Sequence, residues 1–272
     1  MTNSKASKEL WDSWWETGEL PEPMNPHHPH FRNYRELRLH RYFSEIFSKL
    51  DAKEMRLLEI GCARSDKLPY FAKEFDFQVF GLDYSELGCQ QAEKILQKAE
   101  IKGKIVCSDF FNPAENLLES FDVVISFGVA EHFPDTVGCI TAFSRFLKPN
   151  GILITLIPNQ TGSIGFFQKI LDRQTYDIHV LLDQHLLQLV HEDAGLKVNK
   201  CGYFMSTHFG VLNLSHLNPQ HSTTKIKAFV MNSLSRISKL VWAIEYYTAP
   251  LPETKIFAPY IISVAQKIVL NH

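Results

Sequence analysis

The sequence is poor in the features that mark several common classes of protein. In its 272 residues no apolar run approaches the roughly 20 residues that a membrane-spanning helix needs, and the purest stretch, Ile152–Ile157, has the length of a strand. Cysteine is scarce: Cys62, Cys89, Cys107, Cys139 and Cys201 form no CxxC pair and no compact framework. That spacing argues against a disulfide scaffold or a zinc ribbon and suits reduced thiols in a cytoplasmic protein. Neither sign of charge is in excess, with 28 Lys and Arg against 30 Asp and Glu. A net charge of −2 provides no electrostatic footprint for nucleic acid and argues against stable attachment to an anionic membrane. Internal repeats, low-complexity tracts and long charge blocks are missing as well. Met1–Leu10 is polar, so no secretory leader is expected.

A large apolar core is within reach, since 45% of the residues are hydrophobic and 21% charged. Residues 1–54 read as a helical extension. Leu10, Trp11, Trp14 and Trp15 recur at helical spacing, a proline-rich linker runs from Pro21 to His30, and a second helix spans about 33–50 with Asn33 as its N-cap. From residue 55 the chain alternates strand and helix. Strands are predicted at 56–60, 78–82, 104–107, 121–126 and 152–157, with helices at 66–75, 85–98 and 135–147 between them. The segment Lys148–Gly151 closes the last of those helices. A loop from 158, a helix at 183–193, a strand opening at 196, a helix over about 224–246 and a late strand at 260–265 complete the pattern. Regular alternation of β and α units implies a parallel sheet covered on both faces.

Chemistry concentrates at the carboxyl ends of the strands, the edge where open α/β sheets bind ligands. The first strand ends in Glu59-Ile60-Gly61-Cys62-Ala63-Arg64-Ser65, where small residues allow close approach of backbone to a ligand. The second ends in Asp83 followed by Tyr84, an offset from Gly61 that places a carboxylate for a ribose diol. The third ends in Ser108-Asp109-Phe110, a carboxylate and an aromatic ring suited to an adenine. The fourth ends in Ser126-Phe127-Gly128 and leads into Glu131-His132-Phe133.

In this order the pieces resemble class I S-adenosylmethionine-dependent methyltransferases of the small-molecule type, as do Phe121–Ser126 and Leu147-Lys148-Pro149-Asn150-Gly151. The resemblance covers roughly residues 55–204 and extends to the last strand. It implies a Rossmann-like three-layer sandwich: a seven-stranded, mostly parallel sheet with an antiparallel last strand, and a helical insertion at about 205–257. It also implies S-adenosylmethionine as methyl donor, held by Glu59, Gly61, Cys62, Ala63, Asp83, Tyr84, Asp109, Phe110, Ser126, Phe127 and Gly128. The family's glycine loop is usually Gly-x-Gly-x-Gly, and here Ala63 and Ser65 replace two glycines. Forcing either into the left-handed region would cost about 1–2 kcal/mol.

The expected function is methyl transfer to an O or N atom of a small organic acceptor in specialised metabolism. His132 and His179 are the candidate catalytic residues, each following a strand end on the cofactor side. A non-catalytic binding protein on the same scaffold and an NAD-type dehydrogenase are the alternatives. The Asn/Asp-Pro-Pro-Tyr motif of nucleobase and glutamine N-methyltransferases is absent. His27, His28 and His30 lie among prolines with no matching carboxylate or cysteine, so no metal is assigned. The tryptophans of the first helix either dock it on the core or line the acceptor pocket. Arg38 reads as a solvated arginine, and the helix at 224–246 as a lid or a dimer face.

Overall fold

A computed structural model describes residues 4–16, 19–50 and 52–268; Met1–Asn3, residues 17–18 of the extension and Asp51 lie outside it. Seven strands form one sheet: β1 (Arg56–Ile60), β2 (Gln78–Asp83), β3 (Gly103–Cys107), β4 (Phe121–Phe127), β5 (Leu147–Pro158), β6 (Leu196–Phe204) and β7 (Tyr260–Lys267). Their order is β3-β2-β1-β4-β5-β7-β6, with β7 antiparallel to both its neighbours. The sheet is therefore the mostly parallel one with an antiparallel last strand that the alternation and the resemblance imply. Strand order reverses between β1 and β4, and the register sets Ile60 beside both Leu82 and Ser126. Three chain exits thus leave the sheet side by side, at a topological switch point.

Helices cover both faces. On one side α2 (Tyr34–Phe47), α3 (Leu68–Phe75) and α4 (Glu86–Lys98) pack Phe43, Phe47, Phe71, Ala92 and Leu96 against Leu57, Val79 and Val123. On the other, α5 (Thr136–Ser144) and α8 (Gln184–Asp193) bring Ile140, Phe143 and Leu187 onto Leu58, Val124 and Leu153. Alternate residues of β1 and β4 serve opposite faces, as the pleat requires.

Several elements depart from the sequence expectation. Lys148–Gly151 is part of the long strand β5 rather than a turn after a helix, and α5 ends at Ser144. Asn150 takes the left-handed φ of 63° there, and the pairing with β4 shifts register between Phe121 and Val123, so a turn signal is absorbed as a strand irregularity. The expected loop from 158 contains α6 (Ser163–Leu171) and α7 (Arg173–Asp177). Asn33 makes no side-chain cap for α2; its amide donates to the Asn25 carbonyl at 2.8 Å, because Phe31–Asn33 already forms a 3₁₀ turn. Arg38 is not free in solvent: it pairs with Glu253 at 2.7 Å.

The insertion carries α9 (Ser222–Tyr247), longer than expected by a residue or two at each end. Trp242 Nε1 donates to the Thr207 carbonyl and Ser206 Oγ to the buried Glu245, which seats α9 on the loop after β6. Ile226, Phe229, Ile237, Leu240 and Ile244 face outward along it. None of the described helices is long and apolar enough to cross a membrane.

Candidate active site

The loop after β1 is shaped by two left-handed residues, Gly61 (φ 78°) and Arg64 (φ 54°). Neither Ala63 nor Ser65 is forced there, so the expected penalty falls on Arg64 instead. A side chain at Gly61 would stand 2.4 Å from Val129 Cγ2. Ala63 is accommodated by a glycine elsewhere: a Cβ at Gly88, in the first turn of α4, would lie 2.6 Å from the Ala63 methyl. The close helix-to-loop packing that a third loop glycine would permit is thus supplied from the helix side. Glu59 is buried, burial pushes its carboxyl up to about 7, and Ser65 Oγ donates to it at 2.5 Å, tying the loop to the end of β1.

Asp83 anchors the same loop. It accepts from the backbone N–H of Ala63 at 3.0 Å and of Ser85 at 2.8 Å. The Tyr84 N–H also faces it, so about one of the carboxylate's four lone-pair sites remains for a ligand. Ser85 caps α4 by accepting from Gly88 N, as its position in the sequence predicts. Tyr84 is partly buried beside it. Cys62 is fully buried with its sulfur against Gly81, so only its backbone can face a ligand.

Asp109 is exposed and caps its own turn by accepting from Phe111 N. Phe110 is a core residue, edge-on to Phe133 and Phe143.

Beyond β4 the chain opens into a cavity of about 300 Å³. Phe127 and Gly128 line it; Ser126, one residue earlier, is fully buried. Gly128 takes φ 70°, and a Cβ there would meet only Glu131 Oε1. Glu131, His132 and His179 share the wall. His132 Nδ1 lies 3.1 Å from the Ile178 carbonyl and His179 Nδ1 2.7 Å from the Thr175 carbonyl. A carbonyl only accepts, so each Nδ1 carries the proton and each Nε2 presents a lone pair. The two rings are 4.7 Å apart between centroids. Burial, and then the neighbouring His179, push His132 down to about 3; burial also lowers His179. Burial pushes Glu131 up to about 8.

The N-terminal helix α1 (Lys8–Trp15) straddles this edge of the sheet. Asp12 accepts from Ser85 Oγ at 2.5 Å, Trp15 O from Gln91 at 2.8 Å, and Lys5 N donates to the His132 carbonyl at 2.8 Å. Trp11 and Trp14 line the cavity, with Trp11 edge-on to His132 at 5.0 Å. The tryptophans therefore both dock the helix and border the pocket. Sequence reasoning missed Arg35, Lys67 and Gln160, which also line it. Arg35 and Lys67 sit in ordinary helical or loop patterns, and only packing turns them inward. His27 pairs with Glu74 on α3, and the three linker histidines do not line the cavity.

The model of a methyltransferase domain matches residues 51–216, more than half of the chain. The chain belongs to the class I methyltransferase family. It is 30% identical over 116 residues to 27-O-demethylrifamycin SV methyltransferase of Amycolatopsis mediterranei, covering 39% of this chain and 41% of that protein. It is 25% identical over 175 residues to the ubiquinone biosynthesis O-methyltransferase of Histophilus somni, covering 58% and 70%. The chain thus spans about two fifths of the length of the first of these relatives. The fold resembles that of Haemonchus contortus phosphoethanolamine N-methyltransferase 2, solved with S-adenosyl-L-methionine, at TM-score 0.55 and 16% identity, over 97% of this chain and 58% of that one.

The residues present fit the family's donor. Left-handed Gly128 brings bare backbone to the cavity, Asp83 ends β2 beside the loop it anchors, and Arg35 and Lys67, each paired with a neighbouring carboxylate, line the cavity.

Proposed function

We propose that this chain catalyses S-adenosylmethionine-dependent methyl transfer to an O or N atom of a small organic acceptor in specialised metabolism. The observation that carries the acceptor assignment is the pair of free Nε2 lone pairs at the cavity wall, on His132 and His179. Each can accept a hydrogen bond from an acceptor hydroxyl or amine and draw its proton away as the lone pair attacks. Gln160 and Trp14 line the same cavity, and among the described residues neither Gln160 Oε1 nor Trp14 Nε1 has a hydrogen-bond partner. Together these groups suit an acceptor that is itself polar and rich in donors.

The chemistry S-adenosylmethionine supplies when bound is a methyl group already activated on a sulfonium sulfur, which departs with the bonding pair. The protein's part is placement and exclusion of water. The backbone of residues 61–65 and the Asp83 carboxylate would hold the adenosine end. Arg35 and Lys67 would meet the carboxylate of the methionine end, with Phe127 and Gly128 beside it. Trp11 and Trp14 close the cavity from above.

The test is binding followed by turnover. Calorimetry should show S-adenosylhomocysteine bound and NAD not bound, which separates methyl transfer from the dehydrogenase alternative. A panel of hydroxylated and amino acceptors should then reveal methyl transfer that falls at least about 10²-fold in the His132→Ala, His179→Ala double variant, with cofactor affinity unchanged. Full activity in that variant would remove the histidines from the mechanism. Absence of S-adenosylhomocysteine binding would overturn the functional reading itself.

A further inference from the structure

The cavity wall contains a group of atoms that acid–base chemistry does not account for. One carboxylate oxygen of Glu131 and one ring nitrogen each of His132 and His179 lie within 4.8 Å of one another. All three are lone-pair donors. Both imidazoles have committed their N–H to backbone carbonyls, as described above. Glu131 is 1% exposed, and its Oε2 has no hydrogen-bond partner among the described residues. The nearest group to its carboxylate that could bear a charge is His132 itself, at 4.0 Å, and among the described residues no lysine or arginine pairs with it. The nearby Lys5 ammonium is turned away and donates to the carbonyls of His179 and Asp177.

The three atoms converge, and once the Glu131 carboxyl gives up its proton all three offer lone pairs to one point. A cation satisfies all three at once. Two neutral imidazoles and one carboxylate are a ligand set for borderline divalent metals. The carbonyls of Ile178 and Thr175 play the part that outer partners play at metal centres: they fix which nitrogen is free and hold the ring planes.

We propose that Glu131, His132 and His179 form a binding site for a divalent transition-metal or zinc ion, leaving further coordination positions open to the cavity. Metal–ligand bonds of about 2.0–2.2 Å put neighbouring donors about 3–3.5 Å apart. From separations of up to 4.8 Å, the donor–donor distances would therefore shorten by up to about 1.3–1.8 Å when the ion binds. With both Nε2 lone pairs on the ion, the acceptor's oxygen or nitrogen would become a further ligand, and its proton, acidified by the metal, would pass to solvent water instead of to an imidazole. The inference rests on the functional reading only in placing the acceptor in this cavity.

The test uses the full chain, stripped with a chelator and titrated with Co²⁺ as the probe. The expected result is one Co²⁺ per chain with visible d–d absorption. Glu131→Gln and His179→Gln should each weaken binding by at least about tenfold. His27→Gln should leave it unchanged; this control matters because His27, His40 and Glu74 also lie close together at the surface. In the wild-type chain, which removes any question of misfolded variants, Zn²⁺ should shift the ring-nitrogen resonances of His132 and His179 and leave those of His191 in place. Absorption lost in His27→Gln but retained in Glu131→Gln would overturn the proposal, as would unshifted His132 and His179 signals at saturating Zn²⁺. S-adenosylhomocysteine binding is measured on the same samples. If it binds and Co²⁺ does not, the metal site falls and methyl transfer stands. If Co²⁺ binds and it does not, the converse holds.

Discussion

Replacing Gly88 by alanine should damage a site whose residues it does not belong to. The new Cβ would stand 2.6 Å from the Ala63 methyl and 3.3 Å from Ala63 Cα. Carbon atoms pack comfortably at about 3.5–4.0 Å, so α4 and the loop must separate by about 1 Å. Overpacking of this kind costs about 1–3 kcal/mol. Helix propensity returns at most about 1 kcal/mol, and less in a first turn where Ser85 already caps Gly88 N. The larger effect should appear in binding, because the loop that moves is the one Asp83 holds through Ala63 N. S-adenosylhomocysteine affinity measured by calorimetry should fall about tenfold or more in Gly88→Ala. Ala63→Gly alone should be tolerated. The pair Ala63→Gly, Gly88→Ala should recover most of the loss, with a coupling energy of about 1 kcal/mol or more, as expected for residues in contact. Wild-type affinity and stability in Gly88→Ala, or a double variant no better than the single one, would refute the idea that a helix glycine makes room for the loop alanine.

Asp83→Ala should weaken S-adenosylhomocysteine binding by about 1.5–3 kcal/mol, the range for hydrogen bonds to a charged group; unchanged affinity in a folded variant would exclude Asp83 from the site. The pH–rate profile should show no acid limb near 6.5 from His132, because burial keeps that imidazole neutral down to about pH 3. A limb at 6.5 that vanished in His132→Gln would contradict the burial. His191 is buried against Thr155 and its folded pKa is lowered to about 4. Between pH 6.5 and 4 the unfolded chain binds a proton there that the folded chain refuses, so stability should fall as pH drops through that window. His191→Gln should flatten the slope by up to about 1.4 kcal/mol per pH unit in denaturant unfolding; an unchanged slope would show the ring is protonated when folded.

The order of elements from residue 55 to Asp83 was legible because buried parallel strands are written as short apolar runs, and because Ser85 and Gly61 perform local tasks that local sequence specifies. The positions of Asp83, Glu131 and His132 at strand ends followed from the same pattern. Local signals misled where tertiary pairing overrode them. Lys148–Gly151 carries the residues of a turn, yet pairing with β4 and β7 makes it strand. Phe110 and Phe111 are adjacent aromatics that both meet Phe133, and only the burial of Phe110 against Phe143 shows which is core. The role of Gly88 could not be read from the loop it serves, since it lies 25 residues from Ala63 and meets it only when α4 docks. The same holds for the cavity. Trp11, Arg35, Glu131 and His179 come from four distant stretches of chain. The sequence by itself determined the run of strands and helices and the carboxylate at the end of β2, because those depend on periodicity and on single residues. Which side chains face one another across the cavity, and which imidazole nitrogens are left with lone pairs, was decided only by the tertiary structure, because a hydrogen bond to a carbonyl 46 residues away has no local sequence signature.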